Sequence, residues 1–411
     1  MNPDLPAPSE FARHWALDPS IVFLNHGSFG ATPRAVQQAQ TAYRERLERE
    51  PVDHYVNQHW GLMDESRRAL AGLVHAAWDC IAPVSNATIG VATAVSGIAL
   101  LPGDEVLTNS HEYPACQNNL RRAAARTGAR VVVAEVPFPV ASPGQVADAV
   151  LSRVTERTRA VLISHVTSPT GLVMPVETIV AECNRRSIPV IVDGAHAPGM
   201  LPSLDIQKLD PTFYTANCHK WVCSPKGSAF LYVRPDQREF TRPVVLSNNA
   251  ERPRAGRAQF LTEFDYVGTG DYTMFYSVKD AVETMSAMLP GGFAEVMERN
   301  HALVLKGRAV LCNALGIEPP APDEMIGSIC TLILPPHDAA RRERLIQRPT
   351  RYHDALQDVL INKHRIQVPV WGLAGKPDRF VRISAQLYNT VEQYEYLAAA
   401  LKEELAAEAK L

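Results

Sequence analysis

The stretch from Ile188 to Gly227 constrains the fold of this chain more than any other. The apolar, β-branched run Ile188-Pro-Val-Ile-Val ends in an acid, Asp193, which is typical of a buried strand with a carboxylate at its carboxyl end. A second apolar run, Phe213-Tyr-Thr-Ala-Asn217, leads to Lys220, and a further strand is predicted over 228–233. Open α/β sheets bind their ligands at the carboxyl ends of such strands. We therefore predict an α/β fold with a functional site at Asp193 and Lys220.

Asp193 and Lys220 together suit one chemistry. Taken singly, an acid at a strand end more often caps a turn, and a lone lysine is usually surface charge. Pyridoxal phosphate, however, needs a lysine amine for its Schiff base, and that amine then becomes the base at Cα. It also needs an acid that keeps the pyridine nitrogen protonated, so that the ring can accept electrons. We predict that Lys220 is the catalytic lysine and that Asp193 binds the cofactor.

Several motifs carry a resemblance to a known family. Asp193-Gly-Ala-His196, His219-Lys220-Trp221, Gly268-Thr269-Gly270 and Arg382-Ile-Ser-Ala-Gln-Leu-Tyr-Asn389 resemble the class V aminotransferase family of fold-type I pyridoxal phosphate enzymes. Two further segments, Phe23-Leu-Asn-His-Gly-Ser-Phe-Gly30 and His165-Val-Thr-Ser-Pro-Thr-Gly171, are similar to the isopenicillin N epimerase-like branch of that family. The resemblance runs from about Phe23 to about Asn389, which is nearly the whole chain.

The resemblance implies a large domain with a mainly parallel, seven-stranded-type sheet and a smaller C-terminal α+β domain. The length of 411 residues agrees with this, because chains beyond roughly 250 to 300 residues usually divide into domains. We predict an N-terminal arm over 1–32, a large cofactor-binding α/β domain over 33–273 and a small α+β domain over 274–411. The Pro-rich start predicts an arm that packs on a partner or stays mobile.

A phosphate site is predicted after the apolar segment 80–85. Asn86-Ala87-Thr88 follows this segment and opens an apolar helix, whose free N–H groups and dipole suit a dianionic phosphate. The resemblance places the family's phosphate cup at Asn86, Ala87 and Thr88, whereas the alternative is a plain helix cap. It also places at Tyr113 the aromatic ring that stacks on the pyridine ring, with His111 as the weaker candidate.

The remaining cofactor contacts also come from the resemblance. His196 stands where relatives place a hydrogen-bond partner for the cofactor's phenolic oxygen, and Ser168 stands where they commonly have an asparagine. Asn217 and His219 lie at positions that contact the phosphate in the family. Thr269 belongs to a Gly-Thr turn that in relatives reaches across a dimer interface to the phosphate in the other subunit. The resemblance therefore implies a homodimer with shared active sites.

Substrate contacts are predicted near both ends of the chain. Arg382 lies near the end of a predicted strand whose neighbouring residues are apolar. A guanidinium at this position can bind a carboxylate in a bidentate pair. A surface ion pair is the alternative for this arginine. In the family, the turn after Phe23 lies at the mouth of the active site, so we expect Asn25, His26 and Ser28 to contact substrate. The alternative is a turn that only orders the N-terminal arm.

Composition and motifs argue against several other classes. A net charge of −3, from 41 basic and 44 acidic residues, gives no electrostatic footprint for nucleic acid or an anionic membrane. No run reaches the roughly 18 to 20 apolar residues of a membrane span, and we see no signal-peptide pattern. The seven cysteines show no CxxC pair, and no metal or nucleotide motif is found. We expect a cytoplasmic protein with no metal, whose partners are small amino-acid-like molecules and its own copies.

Three reactions at Cα remain open. Epimerisation or racemisation is slightly favoured by the resemblance, and it needs a proton from the face opposite Lys220, for which His54, Tyr55 and His196 are candidates. Elimination at Cβ by a C–S lyase and transamination are the alternatives. A non-catalytic binding protein with the same fold is a remote alternative, because Lys220 and Asp193 are both present.

Desulfurization by persulfide transfer is disfavoured. That reaction needs a thiolate on a mobile loop over the cofactor, and the loop 368–378 before Arg382 has no cysteine. Cys330 lies within an apolar strand pattern, where a thiol is more often an inert small hydrophobe.

Overall fold

The strands form where the apolar, β-branched runs of the sequence lie. The computed structural model describes residues 5–373 and 378–411. Within these residues the strands are β1 (Val22–Phe23), β2 (Ile81–Val84), β3 (Glu105–Asn109), β4 (Arg130–Ala134), β5 (Thr158–Ser164), β6 (Val190–Asp193), β7 (Phe213–Asn217), β8 (Ala229–Val233), β9 (Ile329–Ile333), β10 (Ile366–Gln367), β11 (Val370–Gly372) and β12 (Arg379–Ser384).

The helices surround these strands. In chain order they are α1 (His26–Phe29), α2 (Arg34–Arg49), α3 (Pro51–Asp53), α4 (His59–Val74), α5 (Ala87–Ser96), α6 (Pro114–Thr127), α7 (Pro143–Leu151), α8 (Val176–Arg185), α9 (Ile206–Leu209), α10 (Gln259–Asp265), α11 (Thr273–Ser286), α12 (Gly292–Leu315), α13 (Ala339–Ile346), α14 (Ala355–Asn362) and α15 (Val391–Glu408). A π-helical segment, His54–Gln58, joins α3 to α4. Within the described part of the chain, no helix is both long enough and apolar enough to cross a membrane.

A seven-stranded sheet lies at the centre, in the order β2-β8-β7-β6-β5-β3-β4. Strands β7, β6, β5, β3 and β4 are parallel, and β8 is antiparallel to both of its neighbours. Both faces of the sheet are covered, since alternate residues of β5 enter different cores: Val161 and Ile163 one, Ala160 and Leu162 the other. The predicted fold class, a mainly parallel seven-stranded sheet in an α/β architecture, is confirmed.

Strand register brings the polar strand ends together. Ser164 at the end of β5 is paired with Asp193 at the end of β6, and Asp193 is paired with Thr215 on β7. Because the parallel strands end at one edge of the sheet, the residues that follow them converge there. The site described below lies at this edge.

A second, three-stranded antiparallel sheet, in the order β11-β12-β9, lies in the C-terminal part of the chain. Helix α12 packs on α15 and on this sheet. Strand β1 pairs in parallel with β10, so the two ends of the chain are joined by backbone hydrogen bonds. The predicted domain boundaries, 1–32, 33–273 and 274–411, stay predictions.

Residues 5–20 of the predicted arm contact their own chain. The Ser9 N–H donates to the Tyr388 carbonyl over 3.0 Å. Trp15 is buried, and its indole N–H donates to the Ala31 carbonyl over 3.1 Å. The first four residues lie outside the described residues. A buried tryptophan anchors this segment on the chain itself, which the sequence prediction of a partner-bound or mobile arm did not anticipate.

The sequence pattern missed helix α10. The prediction treated the residues beyond Val233 as irregular, but Gln259–Asp265 is helical, and Phe260 to Asp265 are all buried. A helix buried on every side has no amphipathic period to read. Its two acids are compensated by cations, since Glu263 pairs with Arg242 and Asp265 pairs with Arg257.

Candidate active site

Lys220 lies in the turn between β7 and β8 and is partly buried. Its Nζ lies 3.0 Å from His196 Nε2. The Trp221 indole N–H donates to His196 Nδ1 over 3.3 Å, which leaves the imidazole proton on Nε2, facing the lysine. Burial, with Arg382 as the next cause, lowers the pKa of Lys220 to about 8, and burial places the pKa of His196 well below its usual value. The amine of the predicted catalytic lysine therefore loses its proton more easily than that of a solvent-exposed lysine.

Asp193 at the end of β6 is 3% exposed. The Ala195 N–H donates to Oδ1 over 2.9 Å, and the Cys116 thiol donates to Oδ2 over 3.1 Å. Burial raises the pKa of Asp193, while these two hydrogen bonds and the charge on Lys220 oppose the rise. Both oxygens accept hydrogen bonds, which favours a carboxylate able to hold a cationic ring nitrogen.

Glu112 is a site residue that the sequence reasoning did not identify. It is 3% exposed, and its Oε1 accepts from Ser164 Oγ over 2.6 Å and from the Tyr113 N–H over 2.8 Å. Burial, and then the charge of Asp193, raise the pKa of Glu112 to about 7. Glu112 directly precedes Tyr113, which was itself a predicted site residue, and this position next to Tyr113 could have indicated Glu112 from the sequence.

The predicted phosphate cup is assembled at the start of α5. Asn86 caps the helix by accepting the Ile89 N–H over 2.9 Å, and Asn217 Oδ1 accepts the Ala87 N–H over 2.9 Å. The Ala87 N–H is therefore already bonded within the chain, while the Asn217 amide nitrogen stays a donor. Thr88 lies between Ala87 and Ile89, in the first turn of α5. The N–H groups of a first helical turn suit an anion.

His219 lies beside this cup. Its Nδ1–H donates to the Ser228 carbonyl over 2.9 Å, so Nε2 is the nitrogen left for a ligand. Burial lowers the pKa of His219 to about 4.

The turn after β1 packs directly on the segment that contains His219, since a Cβ on Gly30, whose φ is +69°, would lie 2.1 Å from the His219 carbonyl oxygen. Glycine is therefore required at position 30.

Arg382 on β12 is 4% exposed and reaches across to the large sheet. Nη1 donates to the Ser168 carbonyl over 2.6 Å, and Nη2 donates to Ser28 Oγ over 2.9 Å. Its guanidinium lies 5.3 Å from the centre of the Trp371 ring. Within the described residues no acid pairs with it, and its buried Nε has no acceptor. Burial lowers the pKa of Arg382 to about 10. The predicted alternative, a surface ion pair, does not fit this geometry.

The turn after β1 separates its three predicted substrate contacts. Asn25 Oδ1 accepts from Ser28 Oγ over 2.6 Å, and Ser28 in turn accepts from Arg382. His26 is buried, with Nε2 bonded to the Lys220 carbonyl over 3.0 Å and Nδ1 to the Tyr388 hydroxyl over 2.8 Å. Neither ring nitrogen of His26 is left for a substrate, so this histidine supports the lysine turn instead. Asn25 and Ser28 stay candidates.

Ser168 and Tyr113 lie around the same guanidinium. Ser168 contacts Arg382 through its carbonyl and, over 3.3 Å, through Oγ, so the predicted cofactor contact becomes an arginine contact. Tyr113 caps α6 and is 44% exposed. A negative charge on the Tyr113 phenol would raise the pKa of Arg382, so the two side chains are close enough to interact electrostatically. His111 is buried and bonded to Thr170 over 3.0 Å.

Thr269 and the 54–59 segment lie in a separate aromatic cluster. Thr269 is exposed and bonded to the Tyr266 hydroxyl over 2.9 Å, which leaves its predicted contact with a partner's phosphate a prediction. His54 and His59 are buried against the Tyr276 hydroxyl, at 3.1 and 2.6 Å, and Tyr55 donates to the Gly270 carbonyl over 2.6 Å. None of these hydrogen bonds involves Lys220. They are poor candidates for an opposite-face acid.

Taken together, these residues fit pyridoxal phosphate. A lysine with a lowered pKa, a buried hydrogen-bonded carboxylate and a helix amino terminus converge at one edge of the sheet. These are the groups needed for the amine link, the ring nitrogen and the phosphate.

Comparisons with known proteins agree with this geometry. The sequence profile of the family described as aminotransferase class-V matches residues 21–397. The chain is similar to an isopenicillin N epimerase of Amycolatopsis lactamdurans, at 32% identity over 94% of this chain and 96% of the relative. It is also similar to a putative L-cysteine desulfhydrase 1 of Oryza sativa subsp. japonica, at 30% identity over 97% of this chain and 85% of the relative. Among solved structures, the fold is shared with a cystine C–S lyase in complex with its product cysteine persulfide, with a TM-score of 0.75 and 23% identity over 93% of this chain and 97% of that one.

Proposed function

The chain belongs to the aminotransferase class V family, and we propose that it is an epimerase or racemase acting at Cα of an amino acid or amino-acid-derived substrate. Pyridoxal phosphate is its cofactor. Lys220, Asp193 and the start of α5 would hold it, with Asn217, His219, His196 and Asn86 around them. When bound, it supplies an electron sink for the charge left at Cα when a bond there breaks.

Arg382 carries the proposal that the substrate is an amino acid. Its guanidinium is buried and bonded only to neutral oxygens, of Ser168 and Ser28, in the described residues. A buried charge without a counter-ion is costly, and its persistence in a site is explained when a ligand supplies the opposite charge. A carboxylate matches the planar fork of a guanidinium and leaves Nε with an acceptor. Asn25, through Ser28, would orient the clamp.

Proton transfer at Cα would rest on Lys220. A pKa of about 8 keeps a substantial part of the amine unprotonated near neutral pH, as a base requires. His196 cannot take this role independently, because its protonated Nε2 faces Lys220 Nζ at 3.0 Å and its Nδ1 accepts from Trp221. We assign His196 to orienting the lysine and, in the loaded enzyme, to donating to the cofactor's phenolic oxygen.

Epimerisation also needs a proton from the opposite side, and we propose Tyr113 for this role. The charge of Arg382 lowers the pKa of Lys220 and of His196, and a charge on the Tyr113 phenol would raise the pKa of Arg382. Lys220 and His196 are bonded to each other, so they form a single proton-holding pair. Tyr113 follows β3, two strands from Asp193 in the sheet, and its phenol is half-exposed. It replaces His54, Tyr55 and His196 as the proposed second acid.

A C–S lyase acting by β-elimination is the second candidate, and an aminotransferase is a third. The relatives named L-cysteine desulfhydrase, such as the one at 30% identity over 97% of this chain, favour the lyase. Persulfide transfer is less suited to the site. Burial raises the pKa of Cys330 to about 12 on β9, and the loop 368–378, of which 374–377 lie outside the described residues, contains no cysteine.

We also propose a homodimer with shared sites and a cytoplasmic location. The dimer rests on the Gly-Thr turn at Thr269, which is exposed on this chain and, in the family resemblance, reaches the partner's phosphate. All seven cysteines are unpaired and buried, which suits a reducing compartment.

Proton NMR in D₂O with a panel of amino acids and thioether amino acids, followed by chiral analysis, tests the reaction. Deuterium at Cα with the amine retained and the stereocentre scrambled is the expected result. Formation of pyruvate, ammonia and a sulfur product would instead establish the lyase and remove the epimerase proposal. The Lys220→Ala variant should lose turnover and the cofactor-dependent visible absorbance. Lys226→Ala, which removes another lysine of the same turn, is the control and should still show that absorbance.

A further inference from the structure

Two buried carboxyl groups lie side by side beneath the proposed cofactor site. One oxygen of Glu112, one oxygen of Asp193 and the Cys116 sulfur all lie within 4.8 Å of one another. All three residues are buried, and they come from different elements: the turn after β3, the end of β6 and helix α6. Like charges this close in a low-dielectric interior cannot both ionise without a large cost.

The hydrogen bonds indicate which carboxyl holds a proton. Both oxygens of Asp193 accept donors, from the Ala195 N–H and from the Cys116 thiol. Glu112 Oε1 also accepts two donors, but its buried Oε2 has no partner among the described residues. The negative charge is therefore better stabilised on Asp193, and Glu112 is the member of the pair that is neutral more easily.

Cys116 is a hydrogen-bond donor to Asp193 in this cluster. Burial raises the pKa of its thiol, and the adjacent charges of Asp193 and Glu112 raise it further, so the thiol keeps the proton that it donates. The cluster consequently offers one hydrogen-bonded carboxylate and one proton-holding carboxyl, which are suited to a cationic ring nitrogen.

We propose that Glu112 is a second acid of the cofactor's nitrogen site, which holds a proton more readily in the empty protein than it would with a protonated pyridine nitrogen against Asp193. This inference rests on the proposed cofactor site. The new positive charge would favour the ionised form of Glu112, so its carboxyl proton would leave to solvent as the ring is bound. Two carboxylates then hold one ring cation, which strengthens its protonated form. Glu112 is a positioning residue in this account.

Other groups facing the pair act in known directions. Ser164 on β5 and the Tyr113 N–H lower the pKa of Glu112 by hydrogen bonding, and Lys220 lowers that of Asp193 by its charge. Burial, and then the charge of Asp193, raise the pKa of Tyr214 on β7 well above its usual value, so this residue stays a neutral phenol. His111 is joined to Thr170 and is adjacent to Glu112 in the chain. Asp193 and Glu112 therefore titrate as a coupled pair.

Isothermal titration of the apo protein with pyridoxal phosphate, in two buffers of different ionisation enthalpy, counts the protons released on loading. With the pKa of Glu112 at about 7, wild type at pH 7 should release about half a proton more than Glu112→Gln. The affinity of wild type should rise by up to about tenfold more between pH 6 and pH 8 than that of Glu112→Gln. Glu135→Gln removes an exposed carboxylate just after β4 and should match wild type.

Equal proton counts for wild type and Glu112→Gln would overturn the proposal. If Glu112→Gln does not bind the cofactor, the Ser164→Ala variant tests the proposal instead. This change removes a hydrogen bond that lowers the pKa of Glu112, so the pH at which proton release is greatest should rise. An unchanged pH profile in Ser164→Ala would equally refute the role of Glu112. Absence of any cofactor binding by wild type is a different result, because it would remove the cofactor site itself.

Discussion

The Arg382→Leu variant tests the proposed carboxylate clamp, and the structure gives the size of its effect. Burial lowers the pKa of the guanidinium from 12.5 to about 10. That difference corresponds to about 3 kcal/mol by which the fold disfavours the charged form. A carboxylate that pairs with the guanidinium recovers an energy of this order, and losing a buried charge partner typically costs about 2 to 5 kcal/mol. The expected loss of kcat/KM for an amino acid is therefore about 10²-fold.

The assay compares the amino acid whose Cα proton exchanges fastest in D₂O with its primary amide. The amide has nearly the shape of the acid but carries no charge. In wild type, replacing the acid by the amide should lower kcat/KM for exchange by about 10²-fold. In Arg382→Leu the two substrates should differ far less, because the arginine that distinguishes them is gone. The interaction between variant and substrate change is the measured quantity, as in a double-mutant cycle.

Arg348→Leu is the matched control. Arg348 lies in the same C-terminal part of the chain, is partly exposed and pairs with Glu408 over 2.8 Å. Its loss should leave the ratio between acid and amide as in wild type. If Arg382→Leu and wild type lose the same factor on passing from acid to amide, Arg382 does not bind the substrate carboxylate and the reasoning from its missing counter-ion is refuted. Circular dichroism of the apo variant confirms that the comparison concerns a folded protein.

Three further predictions follow from the site. Because the pKa of Lys220 is about 8, the rate of cofactor loading by apo protein should rise with pH up to about 8 and then level off; a continued rise to pH 10 would indicate an unperturbed lysine. Gly30→Ala should destabilise apo protein in denaturant titrations by about 2 kcal/mol more than Gly103→Ala, since both have positive φ but only position 30 meets backbone at 2.1 Å; equal losses would remove the close contact as the cause. Mixed dimers of inactive Lys220→Ala and Thr269→Arg subunits should recover roughly a quarter of wild-type activity if sites are shared, and no recovery would place each site within one subunit.

Sequence reasoning succeeded where the signal is local. Buried β-branched runs ending in polar residues predicted the strand that carries Asp193 and the strand that precedes Lys220, and the cap pattern after residue 85 predicted the start of α5. These features depend on neighbouring residues along the chain, so no long-range information is needed to read them. The α/β fold and its mainly parallel sheet follow from the same alternation of strands and helices.

Sequence reasoning failed where the outcome depends on distant partners. His26 belongs to a motif expected at substrate, yet its ring is taken up by Lys220 and Tyr388, which lies 362 positions away in the chain. Helix α10 carries no amphipathic period because it is buried all around. His54 was a candidate for the opposite-face proton donor, but its Nε2 is bonded to the Tyr276 hydroxyl, far along the chain. No pattern within a short window encodes such pairings.

The sequence by itself predicted the family and the cofactor, which the comparisons confirm, and it proposed Lys220 and Asp193 as the catalytic lysine and its acid partner, because each rests on a short motif at or just after the end of a predicted strand. The tertiary structure alone decided that Glu112 lies against Asp193 and that, within residues 5–373 and 378–411, Arg382 has no acid beside it. Strand order and register set those distances, since β5 lies between β3 and β6 and pairs Ser164 with Asp193. The charge that a buried group can keep depends on these neighbours and on the loss of water around it, and neither is a property of the residue's position in the chain.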